Sequence, residues 1–352
     1  MAYSIFSPFN EGDITTLRST EVTTGMWSGD TGSLSAIYTS SVQVANSGEF
    51  YYDLYNGATV STSDIQFSVA YGHVSGGGSP SLTTLNTSTV PTQVTYVQYR
   101  NILLAEDVEK FSFGGSESDD IYVINLQRSR LRQAIDPGNW QLGLSGSKGL
   151  RTFIDDSGLG TAVVGNLVAN NVYNVRSGSL SATPNLNAGD TTVYGLVFPD
   201  YGVIILHPGR ISSSVGLVNP VVNAKTATPF PFAPYTESVS TYQYQHEGLV
   251  RSISSSMSSG NAFIARSAES ITSQNYFVRL QNTKYNYSNN PTYYTGSNPQ
   301  YVLPPFRDNA LTYVTTIGLY NDQNELLAVA KLSRPIQKSP EKEALVRVRL
   351  DY

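Results

Sequence analysis

The strongest constraint on the fold lies at the C-terminal end. Val346, Val348, Leu350 and Tyr352 alternate with Arg347, Arg349 and Asp351. A period of two puts the apolar set on one face of a strand and the charged set on the other. Similar short runs recur upstream, at residues 36–44, 65–70, 140–144, 276–280, 313–320 and 326–332. No segment sustains an apolar period of 3.6 over a long stretch, so strands should dominate and helix should be confined to short pieces such as 127–135. Residues 121–126 are apolar at nearly every position, as expected of a strand buried on both faces. Residues 193–206 read as two strands around the turn Pro199-Asp200-Tyr201-Gly202. The expected class is mainly β: antiparallel sheets, β-sandwich-like, with long loops and few short helices in two to three subdomains.

Composition supports a folded chain of this kind. Disorder goes with high charge and few aromatics, whereas here 14% of residues are charged and there are 24 Tyr and 13 Phe. The 29 Gly and 17 Pro supply turns, among them Asn56-Gly57, the connector 75–80 and Asp136-Pro137-Gly138-Asn139. Residues 210–260 are looser, and the Pro-rich stretch 229–234 reads as an extended arm or linker. The expected division is an N-terminal β-rich region 1–110, a central β domain 111–262 and a C-terminal β domain 263–352.

Charge and apolar runs exclude several partners. A net charge of −5 argues against nucleic-acid binding, which calls for a basic face. No apolar run approaches the roughly 20 residues that cross a bilayer. The start Met1-Ala2-Tyr3-Ser4-Ile5-Phe6 lacks the basic and apolar stretches of a secretory signal, and the absence of cysteine fits folding in a bacterial cytoplasm and equally a cysteine-free surface protein. Zero cysteines remove disulfides, thiolate nucleophiles and Cys-based metal sites.

The short matches to catalytic motifs read as turns. Asp30-Thr31-Gly32-Ser33 copies the loop of an aspartic protease, with Asp156-Ser157-Gly158 as a possible partner. That chemistry needs two carboxylates sharing a proton, each after a buried strand, and Ser28-Gly29 precedes the first. The two are expected far apart, in surface loops. His73, His207 and His246 share no ligand spacing and read as surface or loop residues. Ser145-Gly146-Ser147-Lys148-Gly149 lacks the first glycine of a phosphate loop and reads as a β-turn. Residues 321–325 lie too tightly between strands for a calcium loop and read as a hairpin turn. Glu117, Asp119 and Asp120 read as a solvated acidic loop. No nucleophile, base and orienter form a set, so neither catalytic activity nor cofactor nor metal is expected.

Three stretches carry a family likeness: Phe263-Ile264-Ala265-Arg266-Ser267-Ala268-Glu269, Asn286-Tyr287-Ser288-Asn289-Asn290-Pro291-Thr292, and 313–335 running on to the C-terminus. Together with 121–144 and 198–206, they resemble virion structural proteins of contractile-tailed, marine and cyanobacterial phages, over about half the chain. The resemblance implies a non-enzymatic structural subunit of the tail, with a baseplate wedge component as the nearest analogue. It implies a virion location, synthesis in the host cytoplasm, other tail and baseplate proteins as partners, and multiple copies or a homo-oligomer in a symmetric assembly. A receptor-binding fibre or tail-tip adhesin, or a neck, collar or capsid-decoration protein, are the alternatives.

Two groups of residues are expected to meet neighbours. The segment 282–306 holds Tyr285, Tyr287, Tyr293, Tyr294, Tyr301 and Phe306 among four prolines. Tyrosines bury large area with few rotatable bonds, and prolines lower the entropy lost on ordering. The basic residues Lys331, Arg334, Lys338 and Lys342 are expected to face an acidic neighbour, and Arg128, Arg130 and Arg132, if extended, to form a docking ridge.

Overall fold

The computed structural model describes residues 6–22, 25–39, 50–77, 91–159, 163, 167–168, 171–180, 184–217, 245–297 and 301–352. The arm at 229–234 and parts of the 36–44 and 75–80 segments lie outside them. The chain is mainly β, with antiparallel sheets. The main strands are β1 (Ile14–Val22), β2 (Tyr51–Tyr55), β3 (Ile65–His73), β4 (Asp120–Leu126) and β5 (Leu142–Gly146). There follow β6 (Gly149–Asp155), β7 (Tyr173–Leu180), β8 (Gly195–Phe198), β9 (Val203–Leu206) and β10 (Ser267–Leu280). The last are β11 (Thr312–Tyr320), β12 (Leu326–Lys338) and β13 (Ala344–Asp351). The principal helices are α1 (Pro91–Leu103), α2 (Pro208–Val215) and α3 (Gln245–Ser258). The chain divides into two compact units, 21–269 and a second made of 1–20 with 270–352.

In the larger unit a curled sheet runs in the order β2-β3-β4-β9-β8-β7-β6-β5, every neighbour antiparallel. Two meanders build it. The first is β2-β3-β4; the chain then crosses to the far edge and returns as β5-β6-β7-β8-β9 to pair with β4. Turn chemistry sets the hairpins: Ser147-Lys148 closes β5 on β6, and Gly202 takes φ 69° after Pro199–Tyr201, a left-handed conformation that glycine adopts without strain. The β2–β3 connection after Asn56-Gly57 is longer than a two-residue turn and contains a 3₁₀ turn, Val60–Thr62.

The central strands are buried on both faces, as read for 121–126. Tyr122, Ile124 and Leu126 of β4 join the inner core with Ile204 and Leu206 of β9. Ile121 and Val123 join the outer core with Val203 and Ile205. The outer core is roofed by α1 and the hairpin 111–118. The Tyr96 hydroxyl ties these together, donating to Ser118 O at 2.8 Å and accepting from Phe111 N at 3.2 Å.

Helix α3 fills the inner side. Leu249, Val250, Ile253 and Met257 lie in the inner core, and the helix packs on β5 at one edge of the sheet and on β2 and β3 at the other. Two helices of ordinary length, α1 and α3, stand where no long helix was expected and where 210–260 read as loose. The line between residues 110 and 111 does not separate two sheets, because β3 pairs with β4 from Phe67↔Leu126 to His73↔Asp120.

The smaller unit is a sandwich. One layer is the sheet β1-β10-β13, with Tyr276 opposite Val348 and Val278 opposite Val346. The other is the ribbon β11–β12. Leu280, Val346 and Val348 pack with Ile317 and Leu319, while Arg347, Arg349 and Asp351 are exposed. The C-terminal alternation therefore sorts its faces as the sequence requires, although Tyr352 is 69% exposed.

The packing of α3 on β5 leads to a test. A Cβ at Gly143 would fall 2.1 Å from Ser256 Oγ, and among the described residues that buried hydroxyl has no hydrogen-bond partner. Gly143→Ala should destabilise the chain by about 1–3 kcal/mol through overpacking. Ser256→Ala alone should be neutral or stabilising, because it removes an unsatisfied buried polar atom. Combined with Gly143→Ala it should recover most of the loss. Denaturant unfolding of the four proteins in a double-mutant cycle measures this, and additive effects would contradict the close approach.

Candidate functional site

The two acidic residues that resembled a protease pair have different settings. Asp30 is exposed in a turn at φ 54°. Asp156 is buried rather than at the surface, and Asn174 occupies both its oxygens, through backbone N to Oδ1 and Nδ2 to Oδ2, each at 2.9 Å. Its neighbour Asp155, also buried, accepts from Gly138 N at 3.0 and 2.8 Å and from Ser157 N at 3.0 Å. Burial raises the Asp136 carboxyl above its usual range, with Asn139 opposing and Asp155 adding to the shift. These carboxylates clamp the Asp136-Pro137-Gly138-Asn139 turn and the start of β7 to the end of β6.

Of the histidines, His207 stays in a loop, between β9 and α2, whereas His246 departs from the surface-or-loop expectation. His246 is buried in α3 against Tyr52, with ring centroids 5.1 Å apart. His207 is half-buried beside Phe113, and burial lowers its pKa, as does Arg210. No group of metal-ligating side chains converges among the described residues. The segment 321–325 is a hairpin turn, in which Asn321 Oδ1 accepts from Gln323 N and Glu325 N.

The arginine triplet is not a docking ridge. Its first residues form a short helix, Arg128–Leu131, which points the side chains apart, and each finds a partner in its own unit. Arg128 donates to Asp200 O at 3.1 Å, Arg130 pairs with Asp64, and Arg132 lies 3.6 Å from Glu269.

Residues 282–306 have more internal structure than a bare loop. A 3₁₀ turn, Pro291–Tyr293, is capped by the Asn290 side chain accepting from Thr292 N. A two-residue ladder pairs Tyr294 with Val302 and Thr295 with Tyr301, and Pro304–Asp308 is helical. Tyr293 is the centre of this segment, 6% exposed. Its ring stacks on Phe306 at 4.7 Å and meets Tyr294 edge-on at 5.5 Å. Tyr285, at φ 60°, packs against the sandwich core. Tyr287 and Tyr301 point outward, at 56% and 63% exposure. The six aromatics thus split into an inner set that holds the segment together and two that face solvent.

Lys338 is the main correction. It is fully buried, and its amine donates to Asn282 O at 3.2 Å, Asn286 Oδ1 at 2.8 Å and Ser339 O at 2.8 Å. Three donors meet three acceptors, so the amine is satisfied inside the protein and is not available to an acidic neighbour. Burial pushes it below the usual lysine range, with Glu343 acting the other way. Lys331, Arg334 and Lys342 are exposed. The sequence carried a signal for this difference: Lys338 follows Ile336 at a spacing of two, on the inward face of β12.

No family model, curated protein or solved structure matches this chain.

Lys338→Met should lower stability by about 1–3 kcal/mol, because three acceptors lose their donor. Arg334→Ala should leave the melting curve unchanged within about 0.5 kcal/mol. Equal, negligible effects in thermal and denaturant unfolding would place Lys338 at the surface instead.

Proposed function

We propose that this chain is a non-enzymatic structural subunit of a contractile phage tail, a baseplate wedge component that works through protein–protein contacts. The observation that carries the reading is the segment 282–306, which presents Tyr287 and Tyr301 to solvent from a frame held by Tyr293, Phe306 and Lys338. A rigidly mounted exposed tyrosine is a good anchor for an interface, since little entropy is lost when it is covered. The resemblance of 263–269, 286–292 and 313–335 to virion structural proteins supplies the setting. Buried carboxylates engaged by backbone amides are consistent with a scaffold role.

The same exposed tyrosines suit a second reading, a tail-tip adhesin, because aromatic faces also stack on glycans. The two readings differ in where the segment points in the particle.

Tyr287→Ala with Tyr301→Ala should leave the isolated chain's melting temperature within about 2 °C, since both side chains are largely in water. Incorporation into particles should fall at least about tenfold, as loss of a hot-spot aromatic requires. Cryo-EM of the particle should show both tyrosines covered by a neighbouring baseplate subunit. A map with the segment outermost and bare favours the adhesin, and a chain absent from purified virions rules out both readings.

A further inference from the structure

The ribbon β11–β12 has two outer edges, and their sequences differ in kind. Along β12 lie Lys331, Arg334 and Pro335. Proline withholds an amide and charged side chains repel an incoming strand, so both keep an edge unpaired. Along β11, Thr312–Tyr320, there is no charge and no proline. β11 is hydrogen-bonded to β12 on one side, in a sheet of two strands. Among the described residues, no other backbone group bonds the amides or carbonyls of 313–320. An uncharged strand rich in Thr, Val, Ile and Tyr with an open ladder is the kind of edge that accepts another strand.

We propose that β11 pairs antiparallel with β11 of a second copy, joining two ribbons into one four-stranded sheet. This specifies one partner within the assembly reading given above. The alternation of β11 makes it complementary to itself. The register shift between Val314 and Thr316 leaves Thr312, Val314, Ile317 and Leu319 toward the sandwich core and Tyr313, Thr315, Thr316 and Gly318 exposed. A two-fold axis between Thr315 and Thr316 sets Thr312 opposite Leu319 and Val314 opposite Ile317 on the inward face. It sets Tyr313 opposite Gly318 and Thr315 opposite Thr316 on the outward face. Every pair matches inward with inward or outward with outward, and a slip of one residue breaks that match. No like charges meet, because the strand has none, whereas β12 paired with itself would bring Lys331 and Arg334 against their copies. The second copy is therefore the occupant that the edge's own pattern selects.

Sedimentation velocity of the purified full chain over ~1–100 µM should show a concentration-dependent dimer. Thr315→Glu, on the exposed face of β11, should weaken dimerisation at least about tenfold, while Ser333→Glu on β12 leaves it unchanged. In the wild-type chain, amide hydrogen exchange within 312–320 should slow as the dimer forms; this decides the matter if Thr315→Glu does not fold. A chain that stays monomeric, a Thr315→Glu variant that dimerises like wild type, or a dimer whose β11 amides exchange as fast as the monomer's would overturn the pairing. A monomer still built into particles would overturn the pairing alone, and a dimer absent from particles would overturn the tail reading alone.

Discussion

A curled antiparallel sheet must cover its concave apolar face, and among the described residues that requirement falls chiefly on one helix, α3, with Ile211 and Val215 of α2 beside it. α3 packs on both edge strands of the sheet, β5 and β2, and supplies Leu249, Val250, Ile253 and Met257 to the inner core. Its position is unusual for its composition. Gln245–Ser258 contains Glu247, Arg251 and five serines, and Glu247 and Arg251 are 1% and 8% exposed. Taking either charge alone out of water would cost several kcal/mol; paired one helical turn apart at 2.8 Å, they enter together. Small side chains let the helix approach closely, and Gly143 under Ser256 leaves no room for a Cβ.

Once α3 is in place, much of the larger unit follows. The sheet is covered inside by α3 and α2 and outside by α1 with the 111–118 hairpin, so β8, β9 and all of β4 but Asp120 and Asn125 are buried. Polar groups in such a setting need fixed partners, and Asp155 and Asp156 have them in Gly138, Ser157 and Asn174. The smaller unit leaves more to solvent. Its ribbon and the 282–306 segment keep tyrosines, an uncharged edge and exposed basic residues at the surface.

Several strands were legible in the sequence, some as apolar runs and some by their period of two, whereas β1, β6 and β7 were not read there. Residues 121–126, 195–206 and the C-terminal strand carry their pattern on their face. α3 was not legible, since a helix buried on nearly every side lacks the polar stripe that reveals a period of 3.6, and its serines and Gly248 are poor helix formers. α1 was hidden differently: Thr92, Val94, Thr95, Tyr96 and Val97 have the composition of a strand, and only Pro91 at the first helical position hints otherwise. The candidate interface was legible as a cluster of aromatics. Which of them turn inward depends on long-range packing, as Tyr293 against Phe306 and Lys338 against Asn282 and Asn286 show.

The dependence of the larger unit on α3 is tested most directly by native-state hydrogen exchange across that unit. If the helix completes the inner core, amides of 245–258 will exchange through the same opening as those of 120–126 and 203–206, with free energies within about 1 kcal/mol of each other. If α3 amides exchange through an opening that lies more than about 2 kcal/mol lower while β4 and β9 stay protected, the sheet stands without the helix and the account is wrong.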